Sequence, residues 1–291
     1  MKLTILGSGT LYPKKDRKPA AFLLKTESAK FLLDCGFGTI ARLVEMQIDP
    51  REISGIFISH FHTDHFADAF SLIHSRFVAD LYEEKKEHRK IPFWGPRGTE
   101  ERYKNWRKIF WPEPAEAYLL EFNENTGEFG FEDMIIRTFV VRHVPYFESV
   151  GIRIESAGKV LIYPGDIGSN TDLREMVEIS RNADLLLIEP GSEKPTPNHF
   201  TIEQTQKLSG AANVKKTVFI HIRPNDEDRV RKFVEGSDKF EMGKRPASRQ
   251  SRNPDFILIF WIPAWGGNDK SGVSQFKIIF KQTPRSALDI D

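Results

Sequence analysis

His60-Phe61-His62-Thr63-Asp64-His65 packs four metal-capable side chains into six residues. On extended backbone successive side chains alternate in direction, so His60 and His62 point the same way and can reach one cation. Asp64 and His65 fall where the chain turns into a helix and can serve a second cation nearby. Imidazole and carboxylate are donors that borderline divalent metals accept, chiefly Zn²⁺, with Mn²⁺ or Fe also compatible. The chain has only 8 histidines in 291 residues, so three at these offsets beside an aspartate read as a metal site rather than a polar surface cluster. A cation pair needs more ligands than one hexapeptide supplies. His143 follows a strand-like run at 135–141, Asp166 follows 159–163 in Tyr-Pro-Gly-Asp, and His221 follows 217–220. Taken singly, each reads as a capped turn or a core histidine. Strand ends sharing one edge would bring the three together, with Asp166 able to bridge both cations through its two oxygens.

The elements that must position these residues alternate between two kinds. Residues 3–6, 21–25, 30–34 and 55–59 read as strands bounded by Gly, Pro and charged turns. Residues 39–46 read as a helix, and Phe66, Phe70, Ile73, Phe77 and Leu81 recur at spacings of three and four along one face of a longer helix. A second cycle follows, with strands at 134–142, 151–155 and 159–163, a helix from about Asp172, and a buried run at 185–188. Thr201 and Gln204 form a capping box for a further helix, ahead of a strand at 217–220. Strands first and helices after, twice over, predict an α/β fold of two sheets face to face with helices outside, a four-layer αββα sandwich.

Lys and Arg total 42 against 41 Asp and Glu, a net charge of +1 that steers the chain to neither nucleic acid nor membrane, so any basic site must be local. The single cysteine, Cys35, excludes an intrachain disulfide and a thiolate metal cluster and fits a reducing compartment. The N-terminal run is too short and too soon broken by Gly and Ser for a signal segment, and no apolar stretch reaches the ~20 residues of a membrane span. No membrane association and a cytoplasmic location are the expectation. From about residue 241 the character changes to a basic linker, an apolar run at 255–265 and a strand-like segment at 274–281. The division expected is a hydrolase domain over 1–240 and an extension over 241–291. Three roles are open to its apolar run: a strand on the body, a contact in a homodimer, or a non-native extension.

His60-x-His62-x-Asp64-His65, followed in order by His143, Asp166 and His221, resembles the metallo-β-lactamase superfamily of dinuclear metallohydrolases. More narrowly it is similar to the ribonuclease Z and phosphodiesterase branch. Leu6-Gly7-Ser8-Gly9-Thr10, Asp34-Cys35-Gly36-Phe37-Gly38-Thr39, Gly151 before Ile152-Arg153-Ile154, and Asn198-His199-Phe200-Thr201 carry that narrower likeness. The resemblance covers residues 1 to about 235. It implies the αββα fold, two divalent metals, and hydrolysis of an ester, foremost a phosphodiester, by a metal-bridging hydroxide. It further implies that His199 donates a proton to the leaving oxygen with Glu189 orienting it, against a surface-cap reading of His199. Asp64 would both hold a metal and accept the water proton.

The departures narrow the substrate. Phe37 stands where ribonuclease Z carries Glu, and His221-Ile222-Arg223-Pro224 lacks the Ser and Arg-Tyr of that family. The 22 residues between His143 and Asp166 leave no room for the arm that grips transfer RNA there. A small or nucleic-acid-derived ester is therefore expected. A lactone, sulfate or other ester is the alternative substrate, and a metal-loaded inactive sensor or scaffold is the non-enzyme alternative. His62 stands where flavodiiron oxidoreductases carry Glu, which argues against redox chemistry. Arg102, Lys104, Arg107 and Lys108, interleaved with Tyr103, Trp106 and Phe110, read either as a nucleic-acid grip or as a solvated helical face over an aromatic core. Lys14, Lys15, Arg17 and Lys18 lie in a loop that borders the family's site and are expected to touch phosphate. His74 and His88 read as structural or solvated.

Overall fold

The computed structural model describes residues 1–12, 14–15, 17–83, 90–111, 120–243 and 260–261. The first half comprises β1 (Lys2–Gly7), β2 (Ala21–Lys25), β3 (Lys30–Leu33), α1 (Thr39–Glu45), β4 (Gly55–Phe57), α2 (Thr63–Phe66), α3 (Ala69–Tyr82), β5 (Ile91–Trp94), α4 (Thr99–Phe110) and β6 (Leu120–Asn123). The second comprises β7 (Gly127–Phe131), β8 (Met134–Val141), β9 (Ser149–Ser156), β10 (Lys159–Tyr163), α5 (Leu173–Ser180), β11 (Leu185–Ile188), α6 (Ile202–Ala211), β12 (Lys216–Phe219), α7 (Glu227–Val234) and β13 (Phe240–Met242). A two-residue strand, β14 (Phe260–Trp261), runs antiparallel to β1. The remainder of the expected apolar run, the basic linker beyond Gly243, the segment at 274–281 and His88 lie outside the described residues.

Two seven-stranded sheets result, ordered β14-β1-β2-β3-β4-β5-β6 and β13-β12-β11-β10-β9-β8-β7. Side chains alternate across each strand, and the burial records that alternation. Phe31 and Leu33 of β3, and Leu161 and Tyr163 of β10, enter the cluster between the sheets. Their neighbours Leu32 and Ile162 face outward, the first under Leu43, Phe70 and Ile73, the second under Met176, Ile179 and Leu208. Strands buried on both faces read as continuous apolar runs, which is why 185–188 contains four aliphatic residues in a row. The αββα expectation is met, with helices on both outer faces.

Two expectations need correction. The long helix from Phe66 is split, with Phe66 ending α2 and α3 beginning at Ala69. At the break the Asp68 N–H bonds the Cys35 carbonyl (2.9 Å) and the Asp68 carboxylate accepts from the Ile40 N–H (3.0 Å). Leu81 is 55% exposed rather than on the buried stripe. The strand at 55–59 leaves its ladder at Phe57, and Ser59 bonds the Asp34 carboxylate instead, its N–H donating at 2.7 Å.

Strand direction gathers the chemistry. β10, β11 and β12 are mutually parallel, and β8 reaches the same direction through two antiparallel steps across β9. The residues following β8, β10, β11 and β12 therefore emerge on one edge, as open α/β sheets place their sites. The Val150 N–H donates to the Ser59 carbonyl (2.9 Å), joining this edge to the one from which the β4 loop emerges.

Candidate metal centre

His60, His62, His143 and Asp166 bring one ligand atom each within 4.8 Å of one another, and Asp64, His65 and His221 do the same. Asp166 lies between the sets. Its Oδ2 is 3.7 Å from His143 Nε2, 3.9 Å from His60 Nε2 and 3.4 Å from His221 Nε2, while Oδ1 is 3.5 Å from His65 Nε2. His221 Nε2 stands 3.2 Å from Asp64 Oδ2. The four residues singled out by spacing and the three singled out at strand ends converge, though they span 162 positions of sequence from His60 to His221.

The backs of the imidazoles decide which nitrogens face inward. His143 Nδ1 donates to the Asn198 carbonyl (2.7 Å). His65 Nδ1 donates to Asp34 Oδ2 (2.6 Å). Ser59 Oγ donates to Asp34 Oδ2 (2.8 Å), so it accepts from His60 Nδ1 (3.0 Å). With those N–H groups committed, the inward nitrogens of neutral His60 and His143 carry lone pairs. His60 Nε2 and His143 Nε2 nevertheless converge on His62 Nδ1 at 3.0 and 3.3 Å. Three ring nitrogens converging so closely form a donor set that one divalent cation would satisfy. Two further inward atoms, His65 Nε2 and Asp166 Oδ1, are buried without a hydrogen-bond partner. The donor set fits divalent cations on these grounds.

Burial, reinforced by the neighbouring imidazoles, holds His60 well below the usual histidine range. Burial likewise lowers His62 and His143, and neutral imidazole is the ligating form. At His65 burial is outweighed by the carboxylates of Asp166, Asp34 and Asp64, which push its pKa to about 10 and mark a position that wants positive charge. Burial would raise Asp166, but His221, His65, His60 and His143 outweigh it and hold the carboxyl well below its usual range.

Glu189 follows β11, and both its oxygens face His199 Nδ1 at 2.8 and 3.0 Å. The His199 ring lies 5.2 Å from that of His143 and 6.2 Å from that of His221. Its Nδ1–H is held by the carboxylate, leaving Nε2 for another partner. His221 itself sits at φ 51°, a left-handed conformation costing about 1–2 kcal/mol outside glycine. It is held there by Ile222 N–H donating to the Ser8 carbonyl (3.0 Å) and Ile220 N–H to the Ile188 carbonyl (2.9 Å).

Three residues around the ligands carried no assigned role in the sequence reading. Asp34, following β3, accepts from the Ser59 N–H, Ser59 Oγ, His65 and the Tyr163 hydroxyl, and so backs one ligand set directly through His65 and the other through Ser59, which contacts His60. Ser59 and Tyr163 complete that network. The available signal was an aspartate ending an apolar strand, in a motif already picked out for its likeness. The basic residues fare differently. Lys14 pairs with Glu227 (2.8 Å), and buried Arg17 donates to Ser8 Oγ and the Gly243 carbonyl, both at 2.8 Å. These two contacts fasten the loop to the body. On α4, Lys104 pairs with Glu100 (2.8 Å), Tyr103 is buried, and Arg102 stacks 3.8 Å over Phe61. His74 stacks on Trp111 with ring centroids 4.4 Å apart, a structural role as expected.

The chain is 27% identical over 181 residues to a ribonuclease Z of Mycolicibacterium gilvum, covering 57% of this chain and about three fifths (61%) of that protein. It is 25% identical over 294 residues to a ribonuclease Z of Methanosarcina acetivorans, covering 82% of this chain and 93% of the other. Human tRNase Z, short form, superposes with a TM-score of 0.69 at 20% identity, covering 90% of this chain and all of that one. The metallo-beta-lactamase fold protein YhfI of Bacillus subtilis superposes at 0.71 and 19%, covering 84% and 96%. A diphosphatase of the PhnP family superposes at 0.65 and 19%, covering 84% and 95%. The model of the beta-lactamase superfamily domain matches residues 29–222, a span from β3 to the loop that carries His221. With its fold shared by these structures, the chain belongs to the beta-lactamase superfamily.

Proposed function

We propose that this chain is a phosphodiesterase that works with two divalent cations, Zn²⁺ foremost, and acts on small or nucleic-acid-derived phosphodiesters. The convergence of ring nitrogens from His60, His62 and His143, with His65 Nε2 and Asp166 Oδ1 buried and unpartnered, carries the reading. Hydrolysis of phosphoester bonds is supported by the relatives named ribonuclease Z and the PhnP-family diphosphatase. His60, His62 and His143 would hold one cation, Asp64, His65 and His221 the other, with Asp166 spanning both. When bound, such cations lower the pKa of water from about 15.7 toward about 7 and draw charge from the phosphoryl oxygen.

The chain's own residues do the remainder. Asp64 accepts the proton of the attacking water. His199, held through Nδ1 by Glu189, presents Nε2–H to the departing oxygen and protonates it. Glu189 stabilises the charged imidazole before transfer and keeps the ring oriented afterwards. A proton donor aimed beside a ligand cluster has no use in a passive sensor, which favours catalysis over a scaffold. The test is a panel of bis-p-nitrophenyl phosphate, cyclic nucleotides, pre-tRNA and simple lactones, each with Zn²⁺, Mn²⁺ or Fe²⁺. Metal-dependent cleavage of the phosphodiesters is expected. Turnover of lactones alone would overturn the substrate class.

A further inference from the structure

We propose that Tyr146 and Phe147, with Phe61 behind them, form a stacking ledge for a nucleobase on the arm of the phosphodiester that stays behind after cleavage. The proposal rests on the hydrolase reading and deepens it by naming the substrate as a nucleoside phosphodiester.

The ledge is built at the rim of the ligand cluster. The loop from β8 to β9 carries Phe147 against three rings: His62 at 5.1 Å and 82°, His60 at 5.9 Å and 26°, and Phe61 at 5.9 Å and 82°. Phe61 is backed by the Arg102 guanidinium, 3.8 Å from its centroid. The loop is tied down at its far end, where the Arg97 N–H donates to Glu148 Oε1 (3.2 Å). Phe61 and Phe147 are only half-buried, and Tyr146 is 84% exposed. Phe61 and Phe147, beside buried His60 and half-buried His62, with exposed Tyr146 next to Phe147 in the same loop, offer aromatic surface on which a flat ring can stack.

The position of the acid sets the direction. His199 adjoins the rings of His143 and His221, whereas Phe147 adjoins those of His60 and His62. The departing oxygen must lie at His199 to receive its proton. At phosphorus the retained ester arm diverges from the departing oxygen at His199, and the flank of His60 and His62 offers it the aromatic surface of Phe147. A nucleoside there gains ring contact that an alkyl arm cannot make.

Three esters with the same p-nitrophenolate leaving group test this on the metal-loaded full chain: thymidine 5′-, phenyl and methyl p-nitrophenyl phosphate. The thymidine ester should show a KM about 5- to 100-fold below that of the methyl ester, the range of one base stacked on an aromatic side chain, with kcat of similar size. Tyr146→Ala should bring that KM ratio toward one and Tyr146→Phe should keep it, a split that simple misfolding does not produce. A ratio near one in the parent chain, or one unmoved by Tyr146→Ala, overturns the ledge. A gain confined to the phenyl ester overturns the nucleoside assignment. Should no diester be cleaved, the phosphodiesterase reading falls, and the ledge is judged by calorimetric binding of thymidine 5′-monophosphate against methyl phosphate. Tighter binding of the nucleotide, abolished by Tyr146→Ala, upholds the ledge; equal affinities overturn it.

Discussion

His199 separates proton transfer from metal binding, because it contacts Glu189 and stands beside the ligand set rather than in it. His199→Ala should keep the metal content yet lose roughly 10²–10⁴ in rate on esters with poor leaving groups. On p-nitrophenyl esters, which depart without a proton, the loss should be far smaller; equal losses on both would remove the acid role. Burial alone would lower the His199 pKa, but the hydrogen bond and charge of Glu189 outweigh it and raise it above 6.5. An acid must start protonated, so the rate on poor leaving groups should hold past the usual histidine range and fall as pH rises through the raised pKa. In Glu189→Gln that fall should move to lower pH, and an unmoved pH profile would contradict the pairing. Asp34→Asn tests the carboxylate behind His65. Removing such a support should weaken metal affinity about 10–100-fold, which chelator competition measures; unchanged affinity would make Asp34 purely structural. His60, His62, Asp64 and His65 were legible because type and spacing are local, and His143, Asp166 and His221 because each follows a strand-like run. The duty of Asp34 was not, since its hydroxyl donor Tyr163 lies 129 positions away.

Between strand ends and site stand the loops, and two glycines fix the one that carries His199. A Cβ on Gly191, at φ 61°, would meet the Phe200 carbonyl oxygen at 1.6 Å, and one on Gly168 would meet that of Pro197 at 1.7 Å. Both clashes are with backbone, so the 191–200 segment has to move. Gly191→Ala should therefore resemble His199→Ala, with metal retained and activity on poor leaving groups reduced at least about tenfold, and with a lowered Tm. Lost metal together with lost activity would place the damage at His221 instead. Strands buried on both faces were read within a residue or two, as at 21–25, 159–163 and 185–188. β5, β6, β7 and β13 went unread: β5 carries Pro92, β7 carries two glycines in five residues, β6 is at most half-buried, and β13 has three residues. In such short segments sheet context overrides local preference. The split between α2 and α3 was hidden because an apolar stripe can run across two helices without registering the turn.

At the scale of the molecule, β9 and β10 with their tight turn fill most of the interval between His143 and Asp166. A chain of net charge +1 without a basic arm there should bind RNA with a shallow salt dependence and cleave small phosphodiesters better than pre-tRNA. Efficient, site-specific 3′ processing of pre-tRNA by the unaided chain would contradict that. The two-sheet architecture was legible because its strand-then-helix grammar occurs twice; which loops meet was not, because strand order is decided by long-range pairing. The central claim is that one chain gathers two cations to cleave a phosphodiester. Its most direct test is stoichiometric: metal-free protein is titrated with Zn²⁺ while hydrolysis of bis-p-nitrophenyl phosphate is followed. The rate should climb to a plateau at two equivalents per chain, with Asp166→Asn losing that plateau. A plateau at one equivalent, or no hydrolysis at any loading with Zn²⁺ or Mn²⁺, would contradict the account.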